Sequence, residues 1–166
     1  MNIMNRILEL LEKDQENISL FKQSKRTLEE MIDLTDSISK EFLKILEKGG
    51  FPYKNKVNND VYRAGITLAL HLPPEDLRMV FIDIEHIDDD KIEPPDKAYF
   101  VDRIRVNNGE KQLYGTNFKK GESGEITFLP IEDETNVDKR RKAVGLCTLK
   151  EYRDFIDGKR ASVKAE

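Results

Sequence analysis

One stretch constrains the fold more than any other. Over residues 25–48, Leu28, Met31, Ile32, Thr35, Ile38, Phe42, Ile45 and Leu46 recur at three- and four-residue intervals, and the run stops at Gly49-Gly50. Side chains at that spacing share one face of an α-helix, and glycine readily takes the left-handed conformation that follows a helix. A helix this long with a single apolar face has to bury that face, so the chain is expected to build a helical bundle. Residues 3–18 supply a partner stripe in Ile3, Ile7, Leu10, Leu11 and Ile18. Asp14 interrupts it: it stands at i+4 from Leu10, i+3 from Leu11 and i−4 from Ile18. Either this carboxylate points inward and is paired, because an unpaired buried carboxylate is costly, or the helix turns outward near Lys13.

After a connecting loop at 50–58, Asn58 or Asn59 can cap a helix over 61–72 that is apolar almost all round. Pro73-Pro74 ends it and opens the next, whose stripe is Leu77, Val80, Phe81 and Ile84. The acidic stretches 88–90 and 93–96 read as a solvated loop. Residues 97–106 leave two options open: aromatic and β-branched residues leading into Asn108-Gly109 suit a strand and turn, and a helix ended by Gly109 is the alternative. Residues 112–118 and 125–129, separated by a segment with two glycines, look like the arms of a β-hairpin. Thr135-x-x-Asp138 opens a short helix ending at Gly145, and Thr148-x-x-Glu151 is a capping box for a last helix to about Asp157. The expected architecture is mainly α: a single-domain helical bundle over 1–158 with an embedded β-hairpin near 112–129, followed by a polar tail at 159–166.

Composition narrows the function classes. With 166 residues the chain is the size of one domain, able to remove roughly 70% of its unfolded surface from water without disulfides or a structural metal. A single Cys147 excludes an internal disulfide and a cysteine-based zinc site, and two histidines exclude a three-histidine metal centre, leaving only a carboxylate-rich Mg or Mn site formally open. No metal or cofactor is expected. The absence of a long apolar run or a signal-type N-terminus leads to the expectation of a cytoplasmic chain with no membrane role. A net charge of −4 places nucleic acid low among partners. Gly-rich phosphate loops, His-Glu-x-x-His and Gly-x-Ser-x-Gly do not occur.

Chemistry-bearing residues gather in two places. His71 ends the most apolar helix, where it is either a helix-end or core histidine or, together with Asp14, a general acid/base pair. His86, in a charged neighbourhood, reads as surface, and the aspartates at 88–90 lack the alternation, central glycine and distal glutamate of a calcium loop. The densest polar set spans 102–146. If 112–118 is a strand, Gln112, Tyr114 and Thr116 line one face, beside Asn117, Arg103 and the helix carrying Asp138, Arg140 and Arg141. The bland alternative is a local Asp138–Arg141 pair and a polar hairpin that packs the C-terminal helices.

The residues Gln112-Leu113-Tyr114-Gly115-Thr116, Pro130-Ile131-Glu132-Asp133, Val137-Asp138-x-Arg140-Arg141, Gly145-Leu146 and Leu149-x-x-Tyr152 resemble a bacterial domain-of-unknown-function family, number six-six-two-four, with its Gln-x-Tyr-Gly-Thr-Gln and Val-Asp-x-Arg-Arg signatures. Asn117 departs from that signature, which has glutamine there. Asp14-Gln15, Gly50-Phe51-Pro52, His71, Ala98-Tyr99 and Asp102-Arg103 look like further family positions. The resemblance implies a mostly helical fold and favours the helix over 97–106; it implies no activity.

The expected function is a domain that binds a small polar or anionic ligand in a pocket of Gln112, Tyr114, Thr116, Asn117, Arg103, Asp138, Arg140 and Arg141, with hydrolase-like proton transfer by His71 and Asp14 if chemistry occurs. The alternative is a non-enzymatic module, of immunity or regulatory type, that meets a basic protein partner through the acidic surface at 83–96.

Overall fold

A computed structural model describes residues 2–82, 86–121 and 124–158, and the chain is mainly α with one small two-stranded sheet. Its contacts group into two compact units, Met1–Val80 and Phe81–Glu166. The expected tail at 159–166 and Ile84 lie outside the described residues.

The first unit holds four helices: α1 (Ile3–Lys22), α2 (Leu28–Gly49), α3 (Asn59–Leu70) and α4 (Pro74–Val80). The long stripe forms α2, which begins at its first apolar residue, Leu28, rather than at residue 25, because Thr27 and Glu30 make a capping box, each side chain accepting the other's backbone N–H. Gly50 closes it at φ +73°. α1 packs against both α2 and α3. Ile7 and Leu10 of α1, Ile38, Phe42 and Ile45 of α2, and Val61, Tyr62, Ala64, Leu68 and Ala69 of α3 form the core. Gly65 lets the preceding loop lie close to α3, since a Cβ there would stand 2.4 Å from Pro52 Cγ. Asp14 and Asn17 lie among the apolar residues of α1 at 2% and 0% exposure, so the stripe does face inward with its carboxylate.

The second unit opens on a helix, α5 (Pro94–Asn107), with prolines in its first turn where the N–H groups have no helical partner. The strand option for 97–106 is therefore overturned. Phe100 stacks on Phe81 with ring centroids 4.0 Å apart. The hairpin is shorter than its sequence suggests: β1 (Phe118–Lys120) pairs antiparallel with β2 (Ile126–Phe128), Lys119 opposite Thr127. Residues 112–117 are not a strand. Apart from one bridge between Gln112 and Ile131 they form an irregular loop, in which Gly115 at φ +70° breaks any extended run. A 3₁₀ turn (Glu134–Asn136), α6 (Val137–Ala143) and α7 (Leu149–Ile156) complete the unit, the last started by the expected Thr148–Glu151 capping box.

Candidate functional site

In the first unit the two residues singled out for proton transfer meet. His71 caps the C-terminus of α3, and its Nδ1 lies 2.9 Å from Asp14 Oδ2. Gln15 Nε2 donates to that same oxygen at 2.9 Å. The carboxylate is buried, whereas the imidazole keeps about a third of its side-chain surface in solvent (2% against 33%). An ionised carboxylate can only accept, so Asp14 directs the ring proton to Nδ1 and leaves the Nε2 lone pair as the ring's open acceptor. That division of labour is the one by which a buried acid orients a histidine for proton transfer. Among the described residues no group of three His, Cys, Asp or Glu side chains is placed to hold a metal.

The second constellation is built on Asp102 of α5, fully buried at 0% exposure. Its Oδ1 accepts the backbone N–H groups of Leu113 (2.6 Å) and Tyr114 (3.0 Å), and its Oδ2 accepts the Thr116 N–H and Oγ1–H, both at 3.0 Å. The carbonyls of the same loop face arginines on α6. Arg140 Nε donates to Leu113 O at 2.8 Å and its Nη2 to Glu132 O and Asp133 O. Arg141, 1% exposed, donates from Nη1 to Tyr114 O at 2.6 Å and from Nε to Cys147 O at 2.5 Å, with its guanidinium 5.0 Å from the Tyr152 ring centroid. Among the described residues neither Asp102 nor Arg141 is in a salt bridge. The peptide groups between them are aligned instead, N–H toward the anion and C=O toward the cation. Each buried charge is thus compensated by oriented dipoles and hydrogen bonds rather than by direct contact.

Gln112, also fully buried, donates through Nε2 to Asn117 O and Leu129 O (2.9 and 2.8 Å) and accepts the Asn117 N–H at 2.9 Å. Asn117 in turn donates through Nδ2 to Gln112 Oε1 and Thr116 Oγ1 at 3.4 and 3.2 Å. Asp138 accepts the Leu149 N–H at 2.7 Å, tying α6 to the first turn of α7, and does not pair with Arg141. Arg103 is exposed on α5. The structure therefore brings Gln112, Tyr114, Thr116, Asn117, Arg140 and Arg141 together, although not on a strand face. Their hydrogen-bonding groups, where described, are spent on the protein's own backbone and on one another.

Tyr152 of α7 closes this assembly, donating to Thr116 O at 3.2 Å and stacking on Phe128 with centroids 6.0 Å apart. Burial pushes its phenol above the ordinary tyrosine value, helped by the hydrogen-bonded phenol of Tyr99, and burial likewise raises Tyr99. Sequence reasoning passed over Asp102, Tyr152 and Gln15 as site residues. Asp102 carried the signal that exposed Asp14, a carboxylate three or four places from Ala98, Tyr99 and Val106 on one helix.

The acidic stretch is partly neutralised by neighbouring lysines. Asp88 pairs with Lys91 and Asp89 with Lys97, each at 2.6 Å, and Asp96 is buried. His86 is exposed. Among the described residues no helix is long and apolar enough to cross a membrane.

A family model described as a family of unknown function, DUF6624, matches residues 71–164, a span that begins at His71 and contains the Asp102, Gln112 and Arg141 assembly. No curated protein and no solved structure matches the chain.

Proposed function

The chain belongs to this family of unknown function, and we propose that it binds a small polar ligand and moves a proton on it through the Asp14–His71 pair, a hydrolase-like acid/base chemistry. One observation carries the reading. A buried carboxylate holds Nδ1 of a histidine at 2.9 Å while the rest of that ring stays in reach of solvent. Imidazole is the side chain whose charge changes near neutral pH, so a ring fixed through one nitrogen can take a proton from water or a ligand hydroxyl at the other and return it. In this reading Gln112, Thr116, Asn117, Arg140 and Arg141 hold the shape of the second unit, and the anionic-ligand role first expected of them gives way to a polar ligand at His71.

The test pairs His71→Gln and Asp14→Asn with the native chain on chromogenic esters, amides, phosphoesters and glycosides. The expected result is turnover of one class by the native chain, with a loss of roughly 100-fold or more in each variant, the scale of a general acid/base contribution. Native turnover that survives His71→Gln, or no turnover of any class by the native chain, would overturn the reading.

A further inference from the structure

The apolar stripe of α2 is covered along only part of its length. Ile38, Phe42 and Ile45 are buried, whereas Leu28 and Ile32, about three and about two turns before Ile38 on the same stripe, are 57% and 47% exposed. Lengths explain the difference. α2 has 22 residues, about 33 Å, and α3 has 12, about 18 Å. α3 also stops at His71, whose ring meets Asp14 in the middle of α1. The end of the α1–α2 hairpin is consequently a pair of helices with no third helix of α3 beside it.

This end is nevertheless held in a defined form. Asn17, 0% exposed, donates to Met31 O at 2.9 Å and to Thr35 Oγ1 at 3.2 Å and accepts from Arg26 at 2.5 Å. That register places Phe21, one turn beyond Asn17, opposite Leu28, one turn before Met31 and Ile32. Phe21 is 37% exposed. Phe21, Leu28 and Ile32 therefore form one apolar patch on an ordered tip. Charges of both signs border it: Glu29, Asp33 and Asp36 on α2, and Lys22 and Lys25 at the end of α1 and in the turn. Among the described residues none of these five is in a salt bridge.

A surface with an apolar centre, acids on one side and bases on the other complements itself under a two-fold rotation. We propose that the occupant is a second copy of this chain, and that the chain dimerises through the hairpin tip. The two helices of each copy then make a four-helix layer over Leu28, Ile32 and Phe21, with Lys22 and Lys25 of one copy against Asp33 and Asp36 of the other. Two-helix tips that each lack a covering helix supply one another's missing layer, the arrangement that four-helix bundles use.

Sedimentation equilibrium of the full chain tests this over roughly 1–200 μM, where a dimer with a Kd in the micromolar to hundred-micromolar range is populated. The expected result is a monomer–dimer equilibrium weakened at least about 100-fold by Leu28→Glu with Ile32→Glu, with an unchanged far-UV spectrum because both side chains are half exposed. Lys22→Glu should weaken the dimer, and Asp33→Lys added to it should restore the association. A native chain that stays monomeric throughout overturns the proposal. So does a dimer that the Leu28 and Ile32 changes leave intact, or a monomer whose tip instead takes a basic amphipathic peptide.

Discussion

Asp102→Asn is the sharpest perturbation available, because it keeps shape and removes only charge and one acceptor. In the native chain four donors converge on the carboxylate, the N–H groups of Leu113, Tyr114 and Thr116 and the Thr116 hydroxyl. Asparagine has one acceptor oxygen and one NH₂ group. If the oxygen stays with Thr116, the amide nitrogen faces the Leu113 and Tyr114 N–H groups, donor against donor. Each buried donor left without an acceptor costs about 1–3 kcal/mol, so two give about 2–6 kcal/mol. Removing a buried charge recovers part of that, but Arg141 then sits behind peptides that no anion polarises, and we expect a net loss of about 3–5 kcal/mol. A domain has only about 5–15 kcal/mol of stability, so the loss amounts to a large fraction of the whole and to about 10 °C in the melting midpoint. Urea unfolding gives the loss, and amide hydrogen exchange at Leu113, Tyr114 and Thr116 shows whether it originates at the carboxylate. Protection at those three amides should fall by at least the global loss. A loss under about 1 kcal/mol, or unchanged protection at those three amides, would refute the account of Asp102 as the acceptor that shapes the loop.

Two further outcomes follow from the same assembly. Gly115→Ala puts a Cβ 2.8 Å from Leu149 Cδ1 and 2.9 Å from Ile131 Cδ1 at a φ of +70°, so left-handed strain and overpacking together should cost about 2–4 kcal/mol by urea unfolding; a cost under about 0.5 kcal/mol would show that the loop relaxes freely. Tyr152→Phe should change the alkaline limb of stability. A phenol whose folded value is raised stabilises the fold fully below its ordinary value of 10.0, and that contribution is lost as pH rises toward the folded value. The native chain should therefore lose stability with a steeper slope than Tyr152→Phe above about pH 10, and equal slopes would remove Tyr152 from the explanation.

The helical part of the fold was legible because one-sided burial leaves a 3.6-residue period: Leu28 to Leu46 and Ile3 to Ile18 both read correctly, and the Thr148–Glu151 capping box sits where its side chains predicted, whereas the Thr27–Glu30 box that starts α2 was not foreseen. The loop at 112–117 was not legible. Its alternation of Gln112, Tyr114 and Thr116 mimics a strand, and what overrides it is Asp102, ten residues earlier in another element, taking the N–H groups that a strand would have given to a neighbour. Such long-range capture leaves no local period. Asp14 was visible as a carboxylate inside a stripe, and His71 as the end of a helix, but their 2.9 Å approach depends on how α3 lies along α1, which no spacing within either helix encodes.

The density of polar residues and the capacity for chemistry turn out to be different properties. A side chain can act on a ligand only with the donors and acceptors that the fold has not already used. Gln112 has both N–H groups engaged and its oxygen accepting from Asn117, so the most conspicuous motif of the chain has little left to offer. Arg141 is in the same position, buried and turned toward carbonyls. His71 is the contrasting case, with one ring nitrogen tied to Asp14 and the ring a third exposed. If function follows unused capacity, substitutions in the second unit should act on activity only in proportion to their effect on stability, whereas His71→Gln should abolish activity at a stability cost of about 1 kcal/mol, that of one hydrogen bond. A Gln112 or Arg141 variant that keeps its unfolding midpoint yet loses activity would break that separation and return the second unit to the chemistry.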